Sequence, residues 1–190
     1  MDSVEGRESR RMKRHQLEHI LRASAVISEC REFVVIGSQS ILGQFPSAPP
    51  ELLVSEEADL WPREFPERAD LIDGSIGELS PFHETFGYYA QGVGPETAIL
   101  PSGWEDRLVA VTVPGVDGVR GLCLEIHDLL ASKAAAGREK DMRFLRDCLR
   151  FKLATASDLE ERIRQIEQET YRALATSTLK KVLLIRKAEA

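Results

Sequence analysis

Apolar positions along the chain change their period several times, and each change marks an element. From Arg10 to Cys30 a charged start gives way to Leu17, Ile20, Leu21, Ala25 and Ile27 at mostly helical spacing, which predicts an amphipathic helix. Glu32-Phe33-Val34-Val35-Ile36 follows as a short β-branched run that ends at Gly37-Ser38, and its unbroken apolarity suits a central strand covered on both faces. A short helix from Gln39 to Phe45 then meets the stiff loop Pro46-Ser47-Ala48-Pro49-Pro50. Leu52-Leu53-Val54 and Ala58-Asp59-Leu60-Trp61 read as the margins of a second strand, stopped by Pro62 and Pro66.

Farther on, Leu71, Ile72, Ile76 and Leu79 predict a helix from Ala69 to Phe82, weakened by Gly74 and Gly77. The runs Tyr88–Val93, Thr97–Leu100, Arg107–Val113 and Leu122–Ile126 alternate with turn signals such as Pro114-Gly115-Val116-Asp117-Gly118, and predict an antiparallel extension of the sheet. His127 to Gly137 and Lys140 to Leu153 read as two helices. Ser157 to Ala190 continues as helix from Ser157 and Glu160, which have capping-box spacing. The expected organisation is a helix in residues 1–30 packed on the core, an α/β (α+β) core in residues 31–153 with a mixed central sheet flanked by helices, and a C-terminal helical extension in residues 154–190.

Composition narrows the class. The chain has 190 residues, 43% hydrophobic and 29% charged, enough for one sizeable core and wrong for a disordered chain. Its net charge of -6 argues against an extended basic face, which leaves RNA neither implied nor excluded. Cys30, Cys123 and Cys148 are far apart and lack ligand spacing, so buried reduced thiols are expected. No stretch approaches the ~20 apolar residues of a membrane span, and Met1-Asp2-Ser3-Val4-Glu5 lacks an apolar signal region, so a cytoplasmic protein without membrane partners is expected.

Three stretches carry candidate chemistry. Val34-Val35-Ile36-Gly37-Ser38-Gln39-Ser40 is a strand opening through glycine and serine into a helix, which presents backbone N–H groups and a small hydroxyl to a phosphate; it is equally an ordinary strand-to-helix turn. In Glu56-Glu57-Ala58-Asp59-Leu60, strand alternation puts Glu57 and Asp59 on one face, where two carboxylates repel unless a cation such as Mg²⁺ neutralises them; a solvated strand end is the competing account. Lys133 lies in the alanine-rich stretch His127-Asp128-Leu129-Leu130-Ala131-Ser132-Lys133, with Arg138-Glu139-Lys140-Asp141 after it. A cation in such a setting usually has a partner and could meet a phosphate; exposed polar positions on two helices and their connection are the competing account. His83 and His127 could serve as bases, but packed or solvent-facing histidines are the simpler account because no Ser or Cys nucleophile motif accompanies them; Trp61 and Trp104 could stack on a base and are as easily core or rim, and Tyr88 and Tyr89 add no assignable chemistry.

The order of Gly37-Ser38, the acidic strand some twenty residues on, and the later Leu129-Leu130-x-x-Lys133 with Arg138-Glu139-Lys140-Asp141 resembles the bacterial nucleotidyltransferase-like families related to the AbiEii toxins, over Glu32 to Leu149. The resemblance implies the nucleotidyltransferase fold and Mg²⁺-dependent transfer of a nucleotide from an NTP to an RNA or protein hydroxyl. It also implies membership of toxin–antitoxin or phage-defence pairs, with a cognate antitoxin or other partner protein. It assigns Gly37, Ser38 and Lys133 to nucleotide binding, Glu57 and Asp59 to the metal and catalysis, and Asp141 to assisting catalysis. Two departures favour an alternative, a catalytically degenerate binding or regulatory protein: Glu57 stands where aspartate is more usual, and Leu108 to Val113 carries no third acid. Leu183, Leu184 and Ile185 would suit a homo-oligomer interface under either reading.

Overall fold

The structure, a computed structural model, describes residues 11–188. Within them the first compact unit runs to Thr97 and resumes over Leu108–Leu124, and the second takes Ala98–Arg107 and the chain from Glu125 onward. The boundary therefore falls where the last strand gives way to helix, not at residue 153, and residues 125–153 join the C-terminal helices rather than the sheet.

The first unit is built on a five-stranded sheet in the order β3-β2-β1-β5-β4. Its strands are β1 (Glu32–Ile36), β2 (Glu57–Pro62), β3 (Tyr89–Gly92), β4 (Val109–Thr112) and β5 (Arg120–Cys123). β1 lies at the centre, antiparallel to β2 and parallel to β5. The run of β-branched residues is what a strand between two neighbours requires, and Phe33, Val34, Val35 and Ile36 are all buried. β4 and β5 pair antiparallel as expected, but β3 joins β2 in parallel, so the sheet is mixed rather than extended by antiparallel hairpins. The predicted strand at Thr97–Leu100 is absent; a 3₁₀ turn at Pro95–Thr97 and Pro101 frame it, and proline cannot donate to a ladder. Leu52 likewise closes a 3₁₀ turn, Pro50–Leu52, and β2 starts only at Glu57.

Register decides what each face carries. Phe33 and Val35 share a face with Leu60, Gly121 and Cys123, whereas Val34 and Ile36 share the other with Trp61, Asp59 and Glu57. Helix α1 (Arg14–Ser28) covers the first face with Leu17, Ile20 and Leu21, and Leu21 fills the space over Gly121. The region expected to form one helix from Ala69 to Phe82 is two. After the short α2 (Ile41–Gln44), α3 (Ala69–Ile76) ends with Gly77 N–H bonded to Asp73 O, and α4 (Pro81–Phe86) restarts with proline in its first turn and the Ser80 hydroxyl accepting from His83 N–H.

The second unit is helical: α5 (Ile126–Ala136), α6 (Glu139–Arg150), α7 (Ala156–Arg164) and α8 (Glu169–Ala188). The C-terminal helix expected from Ser157 is broken between Arg164 and Glu169, and its first half is capped by Thr155, whose hydroxyl accepts from Asp158 N–H. Freed carbonyls at the break are satisfied: Gln165 O accepts from Ser102 N–H and Ile166 O from Arg172. At the polar centre of this unit the buried Asp128 carboxylate receives Arg107 through Nε and Nη2, both at 2.9 Å, and Arg162 Nη1 at 3.0 Å. Among the described residues no helix is long and apolar enough to cross a membrane.

Two glycines test this packing in opposite directions. A Cβ at Gly92 would overlap Ala69 O and stand 2.8 Å from Ala69 C, both backbone atoms of α3. Gly92→Ala therefore lowers stability by roughly 2 kcal/mol or more in urea denaturation. Gly74, inside α3, has nothing within 4 Å of such a Cβ, and Gly74→Ala raises stability by about 0.5–1 kcal/mol in the same assay.

Candidate functional site

β1 ends at Ile36, and the backbone turns at Gly37 with φ 67° and ψ -172°, a conformation essentially closed to residues with a Cβ. Register places Asp59 opposite Ile36, so its side chain leaves β2 beside that turn. A Cβ on Gly37 would overlap Asp59 Oδ2 and lie 3.1 Å from its Cγ. Backbone conformation and available space thus each require glycine here. Ser38, half-buried, opens a 3₁₀ turn of three residues that runs into the four residues of α2. The turn is closed by Ser40, whose N–H and hydroxyl both donate to Gly37 O, at 3.2 and 2.9 Å. This run is too short to carry a helix-end charge, so any anion affinity rests on the local N–H groups and the Ser38 hydroxyl.

On β2, Glu57 and Asp59 are half-buried on one face while Ala58 and Leu60 are fully buried on the other. Glu57 lies directly opposite Tyr89 on β3, whose hydroxyl donates to Glu57 Oε2 at 3.1 Å; Asp59 lies opposite Gln91. Burial first, then the charge and hydrogen bond of Glu57, then the charges of Glu78 and Asp59 push the Tyr89 hydroxyl well above the ordinary tyrosine pKa. Glu57 and Asp59 thus share one face of the sheet, and Glu57 carries the direct contact to Tyr89. A second tie crosses the site: the buried Gln39 donates through Nε2 to Ser55 O at 2.9 Å, joining the Gly37-Ser38 turn to the start of the acidic strand. Sequence reasoning passes over Tyr89 and Gln39. The signal for Tyr89 was the alternation of Tyr88 and Tyr89, which sends one ring to each side of the sheet, but only the register shows that the second meets Glu57.

The donors suit Mg²⁺ of one kind. Mg²⁺ is usually held through one or two carboxylates together with substrate phosphates and water, and Glu57 and Asp59 supply two hard oxygen donors beside a glycine turn. An all-protein cage is not offered: among the described residues no group of three or more His, Cys, Asp or Glu is placed to hold a metal ion. β4 and β5 carry no acid at all.

Lys133 and Asp141 belong to the second unit and meet each other. Lys133 Nζ lies 3.1 Å from Asp141 Oδ1 and 4.7 Å from the Phe144 ring centroid, and the residue is 8% exposed. Arg138 Nε also donates to Asp141, at 2.6 Å. Burial depresses the Lys133 ammonium below the ordinary lysine pKa, with Asp141 partly offsetting it. Burial tends to raise the Asp141 carboxyl, but Arg138 and Lys133 outweigh it and hold it below the usual range. The partner that an apolar setting demands of Lys133 is thus a side chain on α6.

A family model described as "Nucleotidyltransferase of unknown function (DUF6036)" matches residues 15–186. The chain belongs to this family. Its mixed five-stranded sheet with helices is the nucleotidyltransferase-like fold expected from the sequence. No curated protein and no solved structure matches the chain. Within this nucleotidyltransferase family member, Gly37, Asp59 and Glu57 are brought together on the sheet unit, and Lys133 and Asp141 are paired with each other in the helical unit.

Breaking that buried pair from its two ends has unequal results. Asp141→Asn leaves the Lys133 charge buried without an anion and costs about 3 kcal/mol or more in urea denaturation, whereas Lys133→Met leaves Asp141 with Arg138 and costs far less. Without Asp141 the folded Lys133 pKa falls still further below the ordinary lysine value, so the deficit relative to wild type shrinks as pH rises from the variant's folded Lys133 pKa to the wild type's, where the folded variant has lost a proton that the folded wild type keeps.

Proposed function

We propose that the chain is a Mg²⁺-dependent nucleotidyltransferase that moves a nucleotide from an NTP onto a hydroxyl of an RNA or protein acceptor. The observation that carries this reading is the seating of the Asp59 carboxylate against the bare Cα of Gly37, with Glu57 on the same strand face. A turn that only glycine fills, with one acid seated against it and a second two residues away on the same strand face, sets two hard oxygen donors beside backbone N–H groups. It is well suited to binding a cation and a polyphosphate side by side.

In this reading Gly37 and Ser38 seat the triphosphate through backbone N–H groups and the Ser38 hydroxyl, and Glu57 and Asp59 hold the metal. Bound Mg²⁺ supplies charge neutralisation on the triphosphate. The acceptor hydroxyl attacks the α-phosphorus and gives its proton to solvent, the bond from the α-phosphorus to the α,β-bridging oxygen breaks, and pyrophosphate leaves with that oxygen; positioning and charge stabilisation are the main requirements of such an in-line transfer. Lys133 and Asp141 act here as a buried brace of the helical unit, since the Lys133 charge is already neutralised by Asp141. A toxin–antitoxin or phage-defence setting, implied by the resemblance to AbiEii-related families, belongs to the same proposal.

A second reading, a catalytically degenerate member that binds or regulates, is favoured by one observation: the site has two acids and none on β4 or β5. Under it the partner surface is α8, which exposes Tyr171, Leu174, Leu184 and Ile185. Incubation of the protein with α-³²P-NTPs and cellular RNA and protein separates the two. Transfer of label by the wild type, with a loss of about 100-fold or more in Asp59→Asn, supports the enzyme. A folded protein that labels nothing and binds neither Mg²⁺ nor NTP in calorimetry supports the degenerate reading.

A further inference from the structure

Glu57 differs from the aspartate expected at its position by one methylene and one further rotatable bond, so its carboxylate sweeps a larger volume unless something holds it. We infer that Tyr89 is the positioning residue that holds it, fixing Oε2 through its hydroxyl and leaving the other carboxylate oxygen for the cation. This rests on the reading of Glu57 and Asp59 as metal ligands. The geometry is local and braced on every side. Parallel pairing sets Tyr89 directly opposite Glu57, and Tyr89 N–H donates to Glu56 O at 3.0 Å, which fixes the backbone from which the ring projects. The hydroxyl then reaches Glu57 Oε2 at 3.1 Å.

The ring of Tyr89 is steadied from α4. His83 lies against it with centroids 4.6 Å apart. His83 is itself held: its Nδ1 accepts from Leu79 N–H at 3.1 Å and its Nε2 faces Glu56 Oε2 at 3.7 Å. That first bond comes from a residue in the left-handed backbone region, φ 61°, where leucine is uncommon and the exposed side chain contributes little packing. The preceding residue anchors the same flank from the opposite side. Tyr88 hydrogen-bonds His19 Nδ1 at 2.8 Å and packs against Phe82 of α4 with centroids 5.8 Å apart. Consecutive tyrosines thus divide the work: one fastens α4 to α1, and the other passes that rigidity to Glu57. Partners that orient a metal-binding carboxylate commonly change metal affinity by about 10–100-fold when removed.

The test is a double-mutant cycle read by Mn²⁺ binding to the full chain, followed by electron paramagnetic resonance, with thermal unfolding as a control for folding. Wild type binds Mn²⁺, Asp59→Ala loses it, and Tyr89→Phe weakens it about tenfold or more. In a Glu57→Asp background Tyr89→Phe has no further effect, because the shorter carboxylate does not reach the hydroxyl. Equal affinity of wild type and Tyr89→Phe overturns the role of Tyr89 while leaving the acid pair as the metal site, as does an undiminished tenfold loss in the Glu57→Asp background. Failure of the wild type itself to bind Mn²⁺ overturns the acid pair as a metal site, and this inference with it.

Discussion

The contact between the Asp59 carboxylate and the Cα of Gly37 is the constraint on which the rest of the sheet unit depends. It requires a residue without a Cβ in a backbone conformation that other residues do not adopt, and it requires β1 and β2 to pair in the one register that sets Asp59 opposite Ile36. A slip of one residue would turn Glu57 and Asp59 toward the face covered by α1 and bring Ala58 and Leu60 to the turn. The burial of Ala58 and Leu60 is therefore the packing counterpart of the acid pair's position. Gln39 and Tyr89 then secure the arrangement from two sides, one joining the glycine turn to Ser55 and the other holding Glu57.

Much of this frame was legible in the sequence, and the reason differs by element. The bounds of β1 are those of its apolar run, because a strand between two neighbours has no polar alternation to blur its ends. The acidic strand was legible from Glu57 onward because Pro62 marks its end. What escaped was pairing direction. Tyr88–Val93 looks the same whether it runs parallel or antiparallel to β2, and only the parallel register brings Tyr89 onto Glu57. Helix starts are ambiguous where capping chemistry competes: Ser157 and Glu160 have capping-box spacing, but Thr155 has the extended backbone of an N-cap and takes the role.

The two lysine-bearing and acid-bearing stretches illustrate a more general limit. A lysine among alanines announces that it needs an anion, and nothing in one sequence says whether that anion is a ligand or a neighbour. Here Asp141 follows eight residues later on the next helix and satisfies the demand internally. Asp128, by contrast, has no flanking sequence signal of its role and is nevertheless a buried acid that holds Arg107 and Arg162 at once. Charge that stabilises a helical unit and charge that awaits a ligand have the same composition, and only burial with its partners separates them.

Whether the Gly37 turn and the acid pair form one binding site decides what the sheet unit does. The most direct measurement is a crystal structure of the full chain with a non-hydrolysable NTP analogue and Mn²⁺, located by its anomalous signal. The predicted result is a metal peak shared by the Glu57 and Asp59 carboxylates, with the triphosphate on the backbone of Gly37 and Ser38. A nucleotide bound elsewhere, or a metal that ignores both carboxylates, would contradict it.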